Sequence, residues 1–295
     1  LEVAKLALEC GLPPGALNVV TGFGEEAGAA LAHHPDIDFI SFTGSPEVGT
    51  LIQKAAAERT IGCTLELGGK SAQLVFADAD LDQALPILVN AIIQNAGQTC
   101  SAGSRVLIEQ PVFAAVTARL AERFAALRVG THAQDLDLGP PINRQQQERV
   151  DRFVARAADL PLLAEGRLEP DLPPGGHYTA PRLYGPVPTD HVLAQQEVFG
   201  PVLVAIPFTD EADAIRIANG TAYGLVAGVW TQDGGRQLRV ARRLKAGQVY
   251  VNGYGAGGGI ELPFGGVKRS GHGREKGFEA LYEFSQLKTI AIRHG

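Results

Sequence analysis

Short apolar segments alternate with helical segments through the first quarter of the chain, and this alternation restricts the fold more than any other feature. Residues 17–20, 39–42 and 63–67 are apolar runs typical of buried strands. Residues 25–33 and 46–58, between them, have the pattern of helices. Strands that alternate with helices of this length form parallel sheets with right-handed crossovers. The sequence therefore predicts an α/β fold.

A second α/β unit is predicted after Gly69. Its strands are expected at residues 73–76, 105–108, 202–207, 225–231 and 248–252, and its helices at residues 81–95, 111–127, 211–219 and 234–244. Residues 253–273 are expected to form a glycine-rich loop. The alternation of Lys288, Ile290 and Ile292 predicts a last strand over residues 287–293.

The first sheet is incomplete as the sequence stands. Three predicted strands precede Gly68 and Gly69, whereas a dinucleotide-binding sheet has about five or six. The chain begins with Leu1 and contains no Met. We therefore expect further strands from residues that precede this sequence.

Composition and charge argue against several classes of protein. The net charge of −6 and the absence of a basic patch predict no nucleic-acid partner. The densest cationic stretch, between Arg236 and Lys245, is interpreted as the solvated face of a helix. No run of ~18 apolar residues predicts a membrane span. Neither His nor Cys residues have zinc spacing, so no metal is expected.

The cysteine content indicates the compartment. Cys10, Cys63 and Cys100 are too few for a disulfide framework, and their number is odd. Sparse cysteines are typical of a reducing environment. The sequence therefore predicts a cytoplasmic protein.

Cys100 is the first candidate for chemistry. It follows a predicted helix and stands among Gly97, Thr99, Ser101 and Ser104. A free cysteine is commonly a small buried hydrophobe, and that structural interpretation stays open. The polar neighbours and the predicted turn favour instead a reactive thiol that a ligand can reach.

Glu66 is the second candidate. It lies near the end of an apolar strand, where a carboxylate is costly unless it is paired, protonated or functional. It could point to water or pair with Lys70 as a purely structural group. Its place at the carboxyl edge of a parallel sheet favours a ligand site.

A third segment, from Phe42 to Gly49, consists of a strand, a glycine turn and a helix start. The N-terminus of such a helix can hold an anion. Gly44 and Ser45 would lie at that point. Taken alone, the pattern fits any strand-to-helix turn.

Together the three segments resemble the aldehyde dehydrogenase superfamily. The 34-residue separation of Glu66 and Cys100 matches the family's spacing. Further resemblances follow in order at residues 197–202, 219–225 and 263–271. The resemblance covers essentially the whole chain and corresponds to about the last three-fifths of a family member.

The resemblance implies the roles of individual residues. Cys100 would attack the aldehyde carbonyl, and Glu66 would activate the water that releases the acid. The residues that would contact the cofactor are Gly44, Ser45, Glu197 and Phe199. The cofactor is expected to be NAD, and NADP is possible, because the residues that would discriminate between the two would precede Leu1. The family's oxyanion-binding Asn side chain would also precede Leu1.

The resemblance also implies three divisions of the chain. Residues 1–68 would be the last part of a partial Rossmann-like cofactor domain, and residues 69–272 an α/β catalytic domain. Residues 273–295 would return to the cofactor domain and end in an oligomerisation strand. A homodimer or homotetramer is therefore expected.

The substrate is expected to be a small-molecule aldehyde, with Thr99, Ser101 and Phe264 shaping its pocket. Two alternatives remain. One is an inactive remnant that acts only in oligomer assembly. The other is an enzyme that transfers the acyl group to coenzyme A, which Glu66 disfavours because members of that branch tend to lack this residue.

Overall fold

The computed structural model describes residues 1–255 and 259–295. Near the amino-terminal end, β1 (Phe39–Thr43) and β2 (Gly62–Glu66) pair in parallel, with α3 (Pro46–Glu58) between them. A short late strand, β12 (Gly271–His272), adds to β2 in the antiparallel sense. The chain therefore returns to the first sheet at residues 271–272.

The larger sheet has seven strands and supports the rest of the molecule. Six of them run parallel and one edge strand is antiparallel to its neighbour. Their order across the sheet is β11 (Gln248–Val251), β10 (Val226–Trp230), β3 (Ala72–Val75), β4 (Arg105–Glu109), β9 (Val202–Phe208), β8 (Arg182–Tyr184) and β6 (Leu162–Glu165). A separate pair joins β5 (Arg128–Val129) to β7 (Arg167–Leu168).

Helices cover both faces of the larger sheet and bury two apolar clusters. One cluster includes Leu74, Phe208 and Val229, and the other includes Leu88, Phe124 and Trp230. The remaining helices are α1 (Glu2–Glu9), α2 (Ala29–His33), α4 (Leu81–Ile93), α5 (Phe113–Ala126), α6 (Arg144–Ala155), α7 (Val192–Gln195), α8 (Glu211–Asn219), α9 (Gly234–Arg243) and α10 (Gly277–Glu283). Within the described ranges, none of the helices is long and apolar enough to cross a membrane.

The predicted strand at residues 17–20 is wrong. The segment has no ladder partner, and Val19 and Val20 are exposed. β1 pairs with β2 on one side, and its other edge has no neighbour among residues 1–255 and 259–295. Apolar composition favours a strand only where another strand accepts its backbone hydrogen bonds, and that neighbour is missing here.

The carboxyl-terminal segment also differs from its predicted form. Residues 287–293 form no strand with any of the described residues, and Leu287, Ile290 and Ile292 are exposed. A single chain offers this segment no partner, so its pairing with a second copy stays a prediction. The glycine-rich loop at residues 253–273 is shorter than predicted, because residues 268–272 form a helical turn and β12; its residues 256–258 lie outside the described part.

Candidate active site

The two sheets meet at the carboxyl end of β2, where Glu66 is the last strand residue. The Gly44 amide donates to the Glu66 carbonyl oxygen at 3.0 Å, which joins the turn after β1 to this point. Ser270, from the returning late segment, accepts from the Leu67 amide at 3.0 Å and donates its hydroxyl to the Gly68 carbonyl at 2.7 Å. Two distant parts of the chain, the turn at Gly44 and the segment at Ser270, therefore hold Glu66 and the residues that follow it.

Glycines allow the candidate segments to approach one another closely. A Cβ atom on Gly69 would collide with the Cys100 carbonyl oxygen, and one on Gly68 would collide with the Glu197 carboxylate. A Cβ atom on Gly97 would collide with the Gly200 carbonyl group. Gly69 and Gly97 therefore pack against backbone of the Cys100 and Gly200 segments, and Gly68 packs against the Glu197 carboxylate.

Glu197 is held in a defined position. Its Oε1 atom accepts from the Gly69 amide at 2.9 Å. The Arg149 guanidinium, on α6, donates to the Glu197 carbonyl at 2.7 Å and to the Val198 carbonyl at 3.2 Å. Burial raises the pKa of the Glu197 carboxyl, against the opposing effect of the Gly69 hydrogen bond.

Phe199 lies in the left-handed region of the backbone, at φ 58°, which non-glycine residues rarely adopt. The Gln146 amide side chain donates to its carbonyl oxygen at 2.6 Å. Gln146 and Arg149 were not predicted to hold this segment, because no helix was predicted at residues 144–155. The signal was present, since Asn143 caps the helix and Val150, Phe153 and Val154 have helical spacing.

Glu66 is buried, with 2% of its surface exposed, and neither carboxyl oxygen has a hydrogen-bond partner among the described residues. Both structural alternatives for this residue, solvation by water and pairing with Lys70, are therefore wrong. Burial raises the pKa of Glu66 to about 8; the Glu275 carboxylate adds to the increase and the Arg274 guanidinium opposes it. Such a group gains or loses its proton near neutral pH, as a general acid or base must.

Lys70 also differs from its expected role in a structural salt bridge. Its side chain is buried, and Nζ has no hydrogen-bond partner within the described part of the chain. Burial, with the nearby Arg105 guanidinium, lowers its pKa to about 7 against the attraction of Glu197. The expected ion pair is therefore replaced by a buried amine near the Glu197 carboxylate.

Cys100 lies half-buried in a turn at the end of the segment that follows α4. Burial is the main reason that its pKa is raised to about 11, and the Glu197 and Glu66 carboxylates raise it further. The backbone amides of Ser101 and Cys100 act in the opposite direction. The thiol is thus protonated at neutral pH unless a base accepts its proton or a positive charge approaches it.

Gly44 and Ser45 form the exposed turn between β1 and α3. The Ser45 hydroxyl oxygen caps α3 by accepting from the Val48 amide at 3.3 Å. A Cβ atom on Gly44 would lie 2.5 Å from the Phe42 ring. The turn therefore presents the positive end of a 13-residue helix to solvent at the same sheet edge as Glu66.

Replacing Gly97 with alanine tests the glycine contacts. Gly97 has a φ of +74°, and the added methyl group would collide with Gly200. We expect the free energy of unfolding, measured by denaturant unfolding of the full-length protein, to fall by about 1–3 kcal/mol or more. We also expect a loss of activity. Gly139→Ala is the control, since its Cβ would meet no atom within 4 Å; equal stability of the two variants would contradict the packing described.

The Glu66 and Glu197 carboxyl groups lie close enough to Cys100 to raise the pKa of its thiol, beside a sheet edge that presents the start of α3 to solvent. The family model of the aldehyde dehydrogenase family matches residues 1–290. The chain belongs to that family, and the resemblance and the α/β class are confirmed.

Relatives and solved structures agree with this assignment. An aldehyde dehydrogenase from Emericella nidulans is 41% identical over 299 residues, covering 100% of this chain and 59% of that protein. A crystal structure from Burkholderia cenocepacia has a TM-score of 0.98 and 64% identity, and covers 100% of this chain and 62% of that one. The NAD+ complex of an aldehyde dehydrogenase from Bacillus cereus has a TM-score of 0.93 and 38% identity. The match covers 98% of this chain and 59% of that protein. The chain thus spans about three-fifths of the length of these relatives.

Proposed function

We propose that this chain carries the catalytic residues of an enzyme that oxidises an aldehyde to a carboxylic acid with NAD. The observation that carries the proposal is the buried, unpartnered Glu66 carboxyl, placed by glycine contacts in one site with Cys100 and Glu197. The relatives named above are aldehyde dehydrogenases, which supports the same reaction here.

The residues present fit a dinucleotide cofactor. The turn at Gly44 and Ser45 exposes a helix N-terminus that suits a diphosphate. Glu197 uses Oε1 for the Gly69 amide, which leaves Oε2 to accept hydrogen bonds from a ribose. NAD rather than NADP is favoured by the complex of the Bacillus cereus relative. When bound, NAD+ supplies the acceptor for the hydride that leaves the substrate.

Cys100 would act as the nucleophile. Its thiolate attacks the carbonyl carbon and forms a thiohemiacetal, which becomes a thioester when the carbon loses its hydride. The amides of Cys100 and Ser101 favour the anionic sulfur and lower the cost of forming it. The backbone contact between Gly69 and the Cys100 carbonyl limits movement of the segment during this step.

Glu66 would act as the general base in the second half of the reaction. With a pKa of about 8, it is partly ionised near neutral pH and accepts a proton from the attacking water. The thioester then releases the carboxylic acid and restores Cys100. This role favours hydrolysis over acyl transfer to coenzyme A, and an intact set of site residues favours an enzyme over an inactive remnant.

The proposal also includes the domain division, the oligomeric state and the compartment. We place the cofactor domain at residues 1–68, the catalytic domain at 69–272 and the returning segment at 273–295, in keeping with the two sheets. The exposed apolar residues of the last segment, Leu287, Ile290 and Ile292, suit pairing with a second copy in a homodimer or homotetramer. All three cysteines are free, in keeping with the reducing cytoplasm.

Titration calorimetry of NAD+ binding to the full-length protein tests the cofactor part of this proposal. Glu197→Gln keeps an acceptor for the Gly69 amide but removes the charge, so we expect the Kd for NAD+ to rise about tenfold or more. Glu148→Gln, an exposed change on α6, should leave the Kd unchanged. Full-length protein that forms no NADH with any aldehyde, or equal Kd values for the two variants, would count against the assignment.

A further inference from the structure

A cleft beside Cys100 lies between α4 and the turn that carries the cysteine. One face of α4 forms its first wall, because Ile87, Asn90, Ala91 and Gln94 line it at the spacing of successive helical turns. The opposite wall includes Thr99 and Ser101, the two neighbours of Cys100 in sequence. The cleft therefore borders the turn that carries Cys100.

Tyr254 closes the cleft on a third side. Its hydroxyl donates to the Ser101 carbonyl oxygen at 2.6 Å, which ties this wall to the cysteine turn. Its ring packs with Ile87 against the apolar cluster beneath the sheet. The floor of the cleft is therefore apolar.

The α4 wall is equipped for hydrogen bonding. Asn90, on α4, and Gln94, the residue after α4, are exposed, and their carboxamides have no hydrogen-bond partner among residues 1–255 and 259–295. Each carboxamide can both donate and accept. The Thr99 hydroxyl faces the same cleft from the other wall. A substrate with a hydroxyl or carbonyl group beyond its aldehyde carbon would meet partners that an alkyl chain cannot use.

Charge is the second selective property of the cleft. None of the described residues that line it is ionisable at neutral pH apart from the high-pKa Tyr254 phenol. The nearest charges that act on Cys100 are the carboxylates of Glu197 and Glu66. An aldehyde with its own carboxylate would lose hydration without gaining a cation, which is unfavourable.

We propose, on the basis of the function proposed above, that Asn90 and Gln94 select short, uncharged aldehydes that carry a hydroxyl or carbonyl group. This narrows the substrate from aldehydes in general to one chemical class. It also assigns a specificity role to Asn90 on α4 and to Gln94, which directly follows α4, and neither residue carries any part of the reaction itself.

Two aldehydes of equal size test the proposal in the full-length protein. 3-Hydroxybutanal and 3-methylbutanal differ in a hydroxyl that replaces a methyl group. We expect kcat/KM to be about tenfold higher for the hydroxyl compound, the effect of one well-formed hydrogen bond. Asn90→Leu with Gln94→Met keeps the side-chain size and removes both carboxamides, and should bring the ratio to one or below.

Gln145→Met is the matched control, because Gln145 is exposed on α6 and remote from the cleft. It should keep the tenfold ratio. Each ratio is measured within one variant, so loss of folded protein cancels. A ratio that favours 3-methylbutanal, or one that is the same in the parent and in the α4 variant, would overturn the substrate class while leaving the proposed function intact. Absence of turnover with both aldehydes would overturn the proposed function itself.

Discussion

Cys100→Ser will lower kcat for aldehyde oxidation in the full-length protein by about 10⁴-fold or more, the scale seen when an enzyme loses its nucleophile. The serine hydroxyl is far less acidic than a thiol, so it supplies far less of the anion that attacks the carbonyl carbon. Initial rates of NADH formation measure the effect.

Cys10→Ser provides the control for this substitution. Cys10 is exposed and unpaired, and it lies at the end of α1, away from the residues of the site. Its variant should keep the parent rate. Comparable activity in Cys100→Ser and Cys10→Ser would contradict the assignment of the nucleophile.

Glu66→Gln will reduce the steady-state rate by about 10²–10⁴-fold, because positioned acid–base groups contribute about that much. The first turnover depends on Cys100 and should persist as a burst of about one NADH per site. The thioester then accumulates, since no base activates water. Glu58→Gln, an exposed change on α3, is the control and should keep both phases unchanged.

The pH dependence of the parent enzyme follows from the same residue. The ionised carboxylate is the active form of a general base, so a pKa raised to about 8 means that the hydrolytic rate increases with pH and reaches half its maximum near pH 8. Loss of this rise in Glu66→Gln would support the role. A parent profile that falls between pH 6 and 9, or a variant without a burst, would contradict it.

Local pattern was sufficient to predict the elements that carry the site. The helix predicted at residues 46–58 is α3, and the strand predicted at residues 63–67 ends at Glu66 in β2, one residue early. These elements have their caps and apolar spacing within a few residues of sequence, so the information that determines them is local. The strand predicted at residues 17–20 is wrong because the segment has no strand neighbour among residues 1–255 and 259–295.

The environment of the site residues was not predictable in the same way. The approach of Gly97 to Gly200 and of Gly68 to Glu197 joins segments more than a hundred residues apart, and nothing in the local pattern of either segment specifies the other. The resemblance to a family placed these residues in one site, but it did not show that Glu66 is unpartnered or that Lys70 forms no ion pair. Both properties depend on burial by the returning late segment and by Arg105.

A covalent intermediate on Cys100 is the central claim, and mass spectrometry of rapidly quenched protein tests it directly. Full-length Glu66→Gln is mixed with NAD+ and an aldehyde, stopped in acid within the burst phase and digested. The account predicts that the peptide containing Cys100 gains the mass of the acyl group, and that the peptides containing Cys10 and Cys63 do not. A burst of NADH with an unmodified Cys100 peptide, or acylation at another residue, would contradict it.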